Sequence, residues 1–219
     1  MINLEGPRQP PKNGEPAKAL VILLHGYGAD GNDLIGLAPI LSNQLPHVEF
    51  ISPNAPFPCE MSPFGRQWFS LGDRSPDAML GGARMAAQIL DGFINEKLER
   101  ANLSADKLAL VGFSQGTMMS LFVGPRRSEK IAGIVGYSGR LLAEDLLKEE
   151  IKTTPPVTLI HGTNDEMVPA EALEHAVQGL EGVGIKVASE LRPGLGHSID
   201  ERGLEIAKTF LSDVLGEFA

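Results

Sequence analysis

Leu108-Ala109-Leu110-Val111-Gly112-Phe113-Ser114-Gln115-Gly116-Thr117-Met118-Met119-Ser120-Leu121-Phe122 is the stretch from which the rest of the chain can be read. It opens on an apolar run of strand type and closes on residues of helical character, and G-x-S-x-G joins the two. That context is the one in which a nucleophile elbow forms. So tight a turn holds the serine in a strained backbone conformation, and its neighbours must be small. Gly112 and Gly116 remove the Cβ atoms that would strike the adjoining strand and helix. The Ser114 hydroxyl then stands at a helix start, where unpaired N–H groups favour negative charge. A serine capping a helix after a glycine turn would show the same five letters, so the pentapeptide needs support from elsewhere.

Two further segments supply it. A serine hydroxyl is a poor nucleophile unless a base takes its proton, and the base needs an acid to orient it. Asp165 lies in His161-Gly162-Thr163-Asn164-Asp165, after the apolar run Val157-Thr158-Leu159-Ile160. His197 lies in Gly194-Leu195-Gly196-His197-Ser198, after the run from Ile185 to Leu191. Alone, each would be a cap or a loop residue. Together they give the chain order Ser, Asp, His, which is that of α/β-hydrolases. Such a site also needs two N–H donors for the oxyanion. One is expected from the residue after the nucleophile, Gln115; the other from the loop after an early strand. Leu20-Val21-Ile22-Leu23-Leu24 reads as that strand, His25-Gly26-Tyr27-Gly28 as the loop, and Tyr27 as the donor. His25 and His161, both at strand ends, read as structural histidines.

These residues carry a family resemblance. Leu24-His25-Gly26-Tyr27-Gly28, Gly112-Phe113-Ser114-Gln115-Gly116, His161-Gly162-Thr163-Asn164-Asp165 with Val168-Pro169, and Gly196-His197 resemble the small carboxylesterase / acyl-protein thioesterase family, the phospholipase/carboxylesterase branch of the α/β-hydrolases. Ser52-Pro53-Asn54-Ala55-Pro56 and Trp68-Phe69 resemble its intervening segments, and the likeness covers residues 18 to 215. It implies a serine hydrolase of esters or thioesters with Ser114, Asp165 and His197 as triad and Tyr27 and Gln115 as oxyanion donors. Members often have leucine where Tyr27 stands; a main-chain donor tolerates the change, while the different side chain can alter the acyl or alcohol pocket.

The bulk numbers fit this expectation. A chain of 219 residues, 42% hydrophobic and 21% charged, suits one domain, 1–219, with one core. Its net charge of −9 argues against nucleic acid and anionic membrane surfaces. No run is apolar enough to span a bilayer, and residues 1–7 lack the basic and apolar regions of a signal peptide. The single cysteine, Cys59, allows no internal disulfide, so a cytoplasmic location is the default expectation. The five histidines form no metal-ligand pattern, and neither metal nor organic cofactor is expected. Monomer and homodimer are equally open.

Strands are expected at 19–24, 48–52, 107–112, 131–137, 156–160 and 185–191, and helices at 80–100, at 200–216 and from Pro169 onward. Asp30 reads as the cap of a further helix over 34–43. Strands alternating with helices imply a mostly parallel sheet covered on both faces, without repeats or linkers. Residues 5–18 are rich in Pro, Gly and charge, and the first 17 read as an extended lead-in. Only Arg140 to Pro155 separates the sixth strand from the next, room for one short helix near 141–147 and no cap domain. The longest irregular segment, 53–79, holds five prolines with Phe57, Met61, Phe64, Trp68 and Phe69. Two readings of it stand equal: a flap whose Met61, Phe64, Trp68 and Phe69 line the substrate pocket, or a loop packed on the core.

Three functions compete. The first is a hydrolase of short-to-medium carboxylic esters, or with the same triad a thioesterase, acting on a small molecule or on an acylated protein side chain. The second is a non-catalytic binding protein on the same fold; the complete set of triad residues speaks against it. The third transfers the acyl group to an acceptor other than water, for which no acceptor signature is present.

Overall fold

The computed structural model describes residues 3–216. Its strands are β1 (Arg8–Gln9), β2 (Ala19–Leu24), β3 (Val48–Ile51), β4 (Phe57–Pro58), β5 (Arg66–Gln67), β6 (Leu108–Phe113), β7 (Gly133–Tyr137), β8 (Val157–Gly162) and β9 (Val187–Arg192). Its α-helices are α1 (Gly31–Leu34), α2 (Ala38–Leu41), α3 (Pro76–Ala101), α4 (Gln115–Val123), α5 (Glu144–Glu150), α6 (Glu171–Glu181) and α7 (Glu201–Leu215). Seven strands form one sheet in the order β1-β3-β2-β6-β7-β8-β9, parallel except for β1. All six expected strands are present, with ends shifted by at most two residues.

Alternate residues of each central strand face opposite layers, as the pleat requires. Leu20, Ile22 and Leu24 pack with Ala83, Leu90 and Ile94 of α3 and with Met119 of α4; Leu173 and Leu180 of α6 extend this layer. Val21 and Leu23 face the other way, onto Leu41 of α2 and Leu211 of α7. With both faces covered, β2, β6, β7 and β8 have almost no exposed side chains, which is why they read as continuous apolar runs.

The differences from the sequence reading are local. Helix α3 starts four residues before the expected 80: Ser75 accepts from Ala78 N–H at 3.4 Å and Pro76 takes the first turn. Helix α6 starts at Glu171, not at Pro169, whose carbonyl accepts from Ala172 N–H in the turn before it. The 34–43 region breaks into α1, a 3₁₀ turn and α2, and Asp30 caps α1 by accepting from Asn32 N–H. Within the lead-in, Arg8 and Gln9 pair antiparallel with Ile51 and Phe50 of β3. Helix α5 begins at Glu144 rather than 141. Residues 53–79 are neither all flap nor all loop. They contain the β4–β5 hairpin and end in the first turn of α3.

Candidate active site

The C-terminal ends of β2, β6, β8 and β9 bring the expected residues to one edge of the sheet. Ser114 directly follows β6 with φ 53° and ψ −114°, a left-handed backbone that a non-glycine residue adopts only when its surroundings hold it there. Two hydrogen bonds do so: Ser114 N–H donates to Tyr137 O at 2.8 Å, and Ser114 O accepts from Met118 N–H at 3.1 Å. The flanking glycines are required by close approach. A Cβ on Gly116 would stand 1.8 Å from Leu24 O, and one on Gly112 2.4 Å from Thr117 N.

His197 is half-buried, and its ring packs on Phe113, the residue before Ser114, with centroids 4.8 Å apart. Its Nδ1–H donates to Asp165 Oδ2 at 2.7 Å. Asp165 is buried and receives donors on both oxygens. Met167 and Val168 N–H reach Oδ1 at 2.9 and 2.8 Å, and His161 Nε2 lies 3.3 Å from Oδ2. Burial pushes this carboxyl up, but the bonds from Val168, His197 and Met167 outweigh it and hold the pKa below the ordinary value. Asp165 is therefore an anion fitted to hold the Nδ1–H tautomer of His197, leaving Nε2 as the basic nitrogen.

His25 keeps the structural place expected of it. Its Nδ1–H donates to Gly26 O at 2.7 Å and its Nε2 accepts from Ala55 N–H at 3.0 Å; burial lowers its pKa, favouring the neutral ring. His161 is buried and donates to Val168 O at 2.9 Å, yet also reaches the candidate acid. The four-residue spacing within His161-Gly162-Thr163-Asn164-Asp165 was the one signal of that contact. The two expected oxyanion donors, Tyr27 N–H and Gln115 N–H, donate to no protein acceptor among the described residues. Gly26, the residue before Tyr27, lies against the elbow: a Cβ there would be 3.1 Å from the Phe113 ring and 3.4 Å from Ser114 Cβ.

The expected pocket residues divide. Trp68 and Phe69 are wholly buried, so they do not line an open pocket here. They pack with α3 and α4, and Trp68 Nε1–H donates to His25 O at 3.0 Å. Met61 and Phe64, between β4 and β5, stand 83% and 92% exposed. Cys59 is buried beside Tyr27, whose phenol is pushed up to about 12 by burial, by a hydrogen bond with Cys59 and by the charge of Glu60. A cleft of about 400 Å³ bordered by Leu4, Arg8, Glu49, Phe93 and Lys97 lies along the lead-in and includes none of these residues. Among the described residues no three His, Cys, Asp or Glu side chains are placed to hold a metal, and no helix is long and apolar enough to cross a membrane.

A doubly covered, mostly parallel sheet with a serine elbow after its central strand defines a serine hydrolase of the α/β-hydrolase fold. More narrowly, the chain belongs to the phospholipase/carboxylesterase family, which residues 11–215 match. It is 31% identical over 215 residues to acyl-protein thioesterase 1 of Gibberella zeae, covering 88% of this chain and 89% of that protein. The crystal structure of esterase PE8 superposes with a TM-score of 0.93 at 41% identity, covering 98% of this chain and all of that one (100%). Zea mays acyl-protein thioesterase 2 shares the fold at 23% identity and a TM-score of 0.70, over 97% of this chain and 100% of that one.

Proposed function

We propose that this chain hydrolyses carboxylic esters of short-to-medium acyl length through an acyl-enzyme on Ser114. The observation that carries the proposal is the His197 Nδ1 to Asp165 Oδ2 contact of 2.7 Å, on a ring packed against the residue preceding the elbow serine. Ser114 Oγ attacks the acyl carbonyl as His197 Nε2 takes its proton. Asp165 stabilises the imidazolium that forms. The tetrahedral oxyanion is met by the N–H groups of Gln115 and Tyr27. His197 then protonates the leaving oxygen, the acyl-enzyme forms, and water activated by the same histidine releases the acid. No step calls for a metal or an organic cofactor.

A thioester substrate is the second reading, favoured by the relationship to acyl-protein thioesterase 1 of Gibberella zeae. The same steps apply, with His197 protonating the departing sulfur so that a thiol leaves. Only the short α5 segment lies between β7 and β8, so no cap covers the site and an acylated protein side chain can approach it as readily as a small ester. In either case we infer that Met61 and Phe64 meet the acyl chain; their exposure on the hairpin between β4 and β5 supports this. A single unpaired, buried cysteine suits a reducing compartment, and we place the protein in the cytoplasm.

The test is a fluorophosphonate probe together with p-nitrophenyl ester and acyl-thioester hydrolysis. Wild type should be labelled and active, and Ser114→Ala should be folded, unlabelled and slower by roughly 10³ or more. Folded Ser114→Ala with near-normal turnover would overturn the assignment. Higher kcat/KM for the thioester than for the matched ester would select the second reading.

A further inference from the structure

We propose that the Gln115 side chain is a positioning residue for the oxyanion site, clamping residues 66–69 to the elbow and, through them, setting the loop that carries Tyr27. The inference rests on the reading of Ser114 as nucleophile, but concerns a different group: the amide of Gln115, not its backbone N–H.

Both ends of that amide are engaged. Oε1 accepts from Trp68 N–H at 2.8 Å, and Nε2 donates to Phe69 O at 2.8 Å, with the residue 1% exposed. The side chain thus pairs with backbone as a neighbouring strand would. No apolar residue can replace it without leaving a buried N–H and a buried C=O unpaired. The segment so held grips the Tyr27 loop from both sides. Ahead of Tyr27, His25 O accepts from the Trp68 indole N–H. Behind it, Gly28 N–H donates to Arg66 O at 2.9 Å, and Ala29 O accepts from Arg66 N–H at 2.8 Å. The approach there is close enough to exclude a side chain, since a Cβ on Gly65 would lie 2.1 Å from Gly28 O. The Arg66 guanidinium fastens the far side by donating to Ala55 O and Pro56 O at 2.9 and 2.8 Å.

The geometry has a functional reason. The two donors come from positions 88 residues apart, at the ends of different strands. An oxyanion hole works only if its donors are fixed before charge develops, because reorganisation during the reaction would cancel their advantage. Here the residue that supplies one N–H also ties down the segment that orients the other. A glutamine at this position does what leucine or methionine, equal in bulk, cannot.

The experiment compares Gln115→Leu, Gln115→Glu and Trp68→Phe with wild type. Gln115→Glu keeps an acceptor for Trp68 N–H but loses the donor to Phe69 O; Trp68→Phe leaves both Gln115 bonds in place but removes the indole bond to His25 O together with part of a buried ring. The readouts are kcat and KM for p-nitrophenyl butyrate, affinity for a trifluoromethyl ketone, and amide hydrogen exchange over 26–29, 66–69 and 157–162. Leu211→Ala, on the opposite face of the sheet, serves as a control for general loss of stability. Gln115→Leu should lower kcat about 10- to 100-fold, a fraction of the loss of a whole oxyanion donor. KM should stay within about twofold, ketone affinity should fall in parallel with kcat, and exchange should quicken over 26–29 and 66–69 but not over 157–162. Gln115→Glu and Trp68→Phe should show the same pattern, and they answer the question if Gln115→Leu does not fold. Unchanged exchange over 26–29, or a kcat no lower than that of Leu211→Ala, would overturn the clamp. A wild type that neither hydrolyses the ester nor takes a fluorophosphonate label would instead sink the Ser114 reading, and the exchange data would still decide whether Gln115 orders the Tyr27 loop.

Discussion

Asp165→Asn should slow ester hydrolysis by about 10³- to 10⁴-fold while the protein stays folded. All four groups around the carboxylate are donors: Met167 and Val168 N–H on one oxygen, His197 and His161 on the other. An asparagine must turn its NH₂ toward one of these pairs. Facing it toward Met167 and Val168 would leave two backbone N–H groups without an acceptor, at a cost of about 1–3 kcal/mol each. Facing it toward the histidines costs less, because His161 keeps its bond to Val168 O and His197 can change tautomer. The second orientation therefore wins, and it places the His197 proton on Nε2, where it blocks removal of the Ser114 proton. The expected rate loss corresponds to about 4–5.5 kcal/mol of transition-state stabilisation. The assay is steady-state p-nitrophenyl butyrate hydrolysis, with circular dichroism and thermal melting to establish the fold. Turnover within tenfold of wild type in folded Asp165→Asn would refute the reasoning and move the acid elsewhere. The nearby acids are poor substitutes: Glu166 is exposed, and Asp200 already accepts from Arg192 Nε and from Gly203 N–H.

Three other outcomes follow from the same geometry. Gly116→Ala should destabilise by about 3 kcal/mol or more, since its Cβ meets backbone at 1.8 Å and neither β2 nor α4 can yield cheaply; a thermal midpoint within about 2 °C of wild type would show that the turn relaxes. Trp68→Ala should cost about 3–5 kcal/mol, whereas Phe64→Ala should leave stability unchanged and alter the ratio of kcat/KM across a chain-length series of esters; parallel profiles for Phe64→Ala would remove Phe64 from the acyl site. The Asp200 carboxyl is pushed up by burial but held lower overall by Gly203 N–H and Arg192. Its stabilisation is then present above the unfolded value of about 3.9 and is lost as pH falls through the lower folded value. The midpoint difference between wild type and Asp200→Asn should accordingly shrink below about pH 4, and a constant difference would contradict it.

Much of the fold was legible because burial on both faces leaves its mark on single residues. Strands β2, β6, β7 and β8 carry apolar side chains at nearly every position, and the helices carry them at helical spacing. Ser114 and Asp165 could be picked out for a related reason, since each follows such a strand; His197 follows β9, which has no buried position, and was marked only by its glycine-rich loop and its place in the chain order. The start of α3 is marked by Ser75-Pro76, whereas β1 is two residues whose partner strand lies more than 40 positions away.

What the sequence determined by itself was therefore local: which segments are strands and helices, where a serine must adopt a left-handed backbone, and which loops carry Asp165 and His197. Tertiary structure alone decided how residues 57–69 are shared between core and surface. Trp68 and Phe64 are both large and apolar within one irregular stretch, yet one is buried and the other exposed: the Gln115 amide bonds the backbone of Trp68 and Phe69, whereas among the described residues Phe64 makes no hydrogen bond. That choice depends on hydrogen bonds spanning 46 and 47 positions. Periodicity has no term for contacts at such separation; they exist only once the chain has closed on itself.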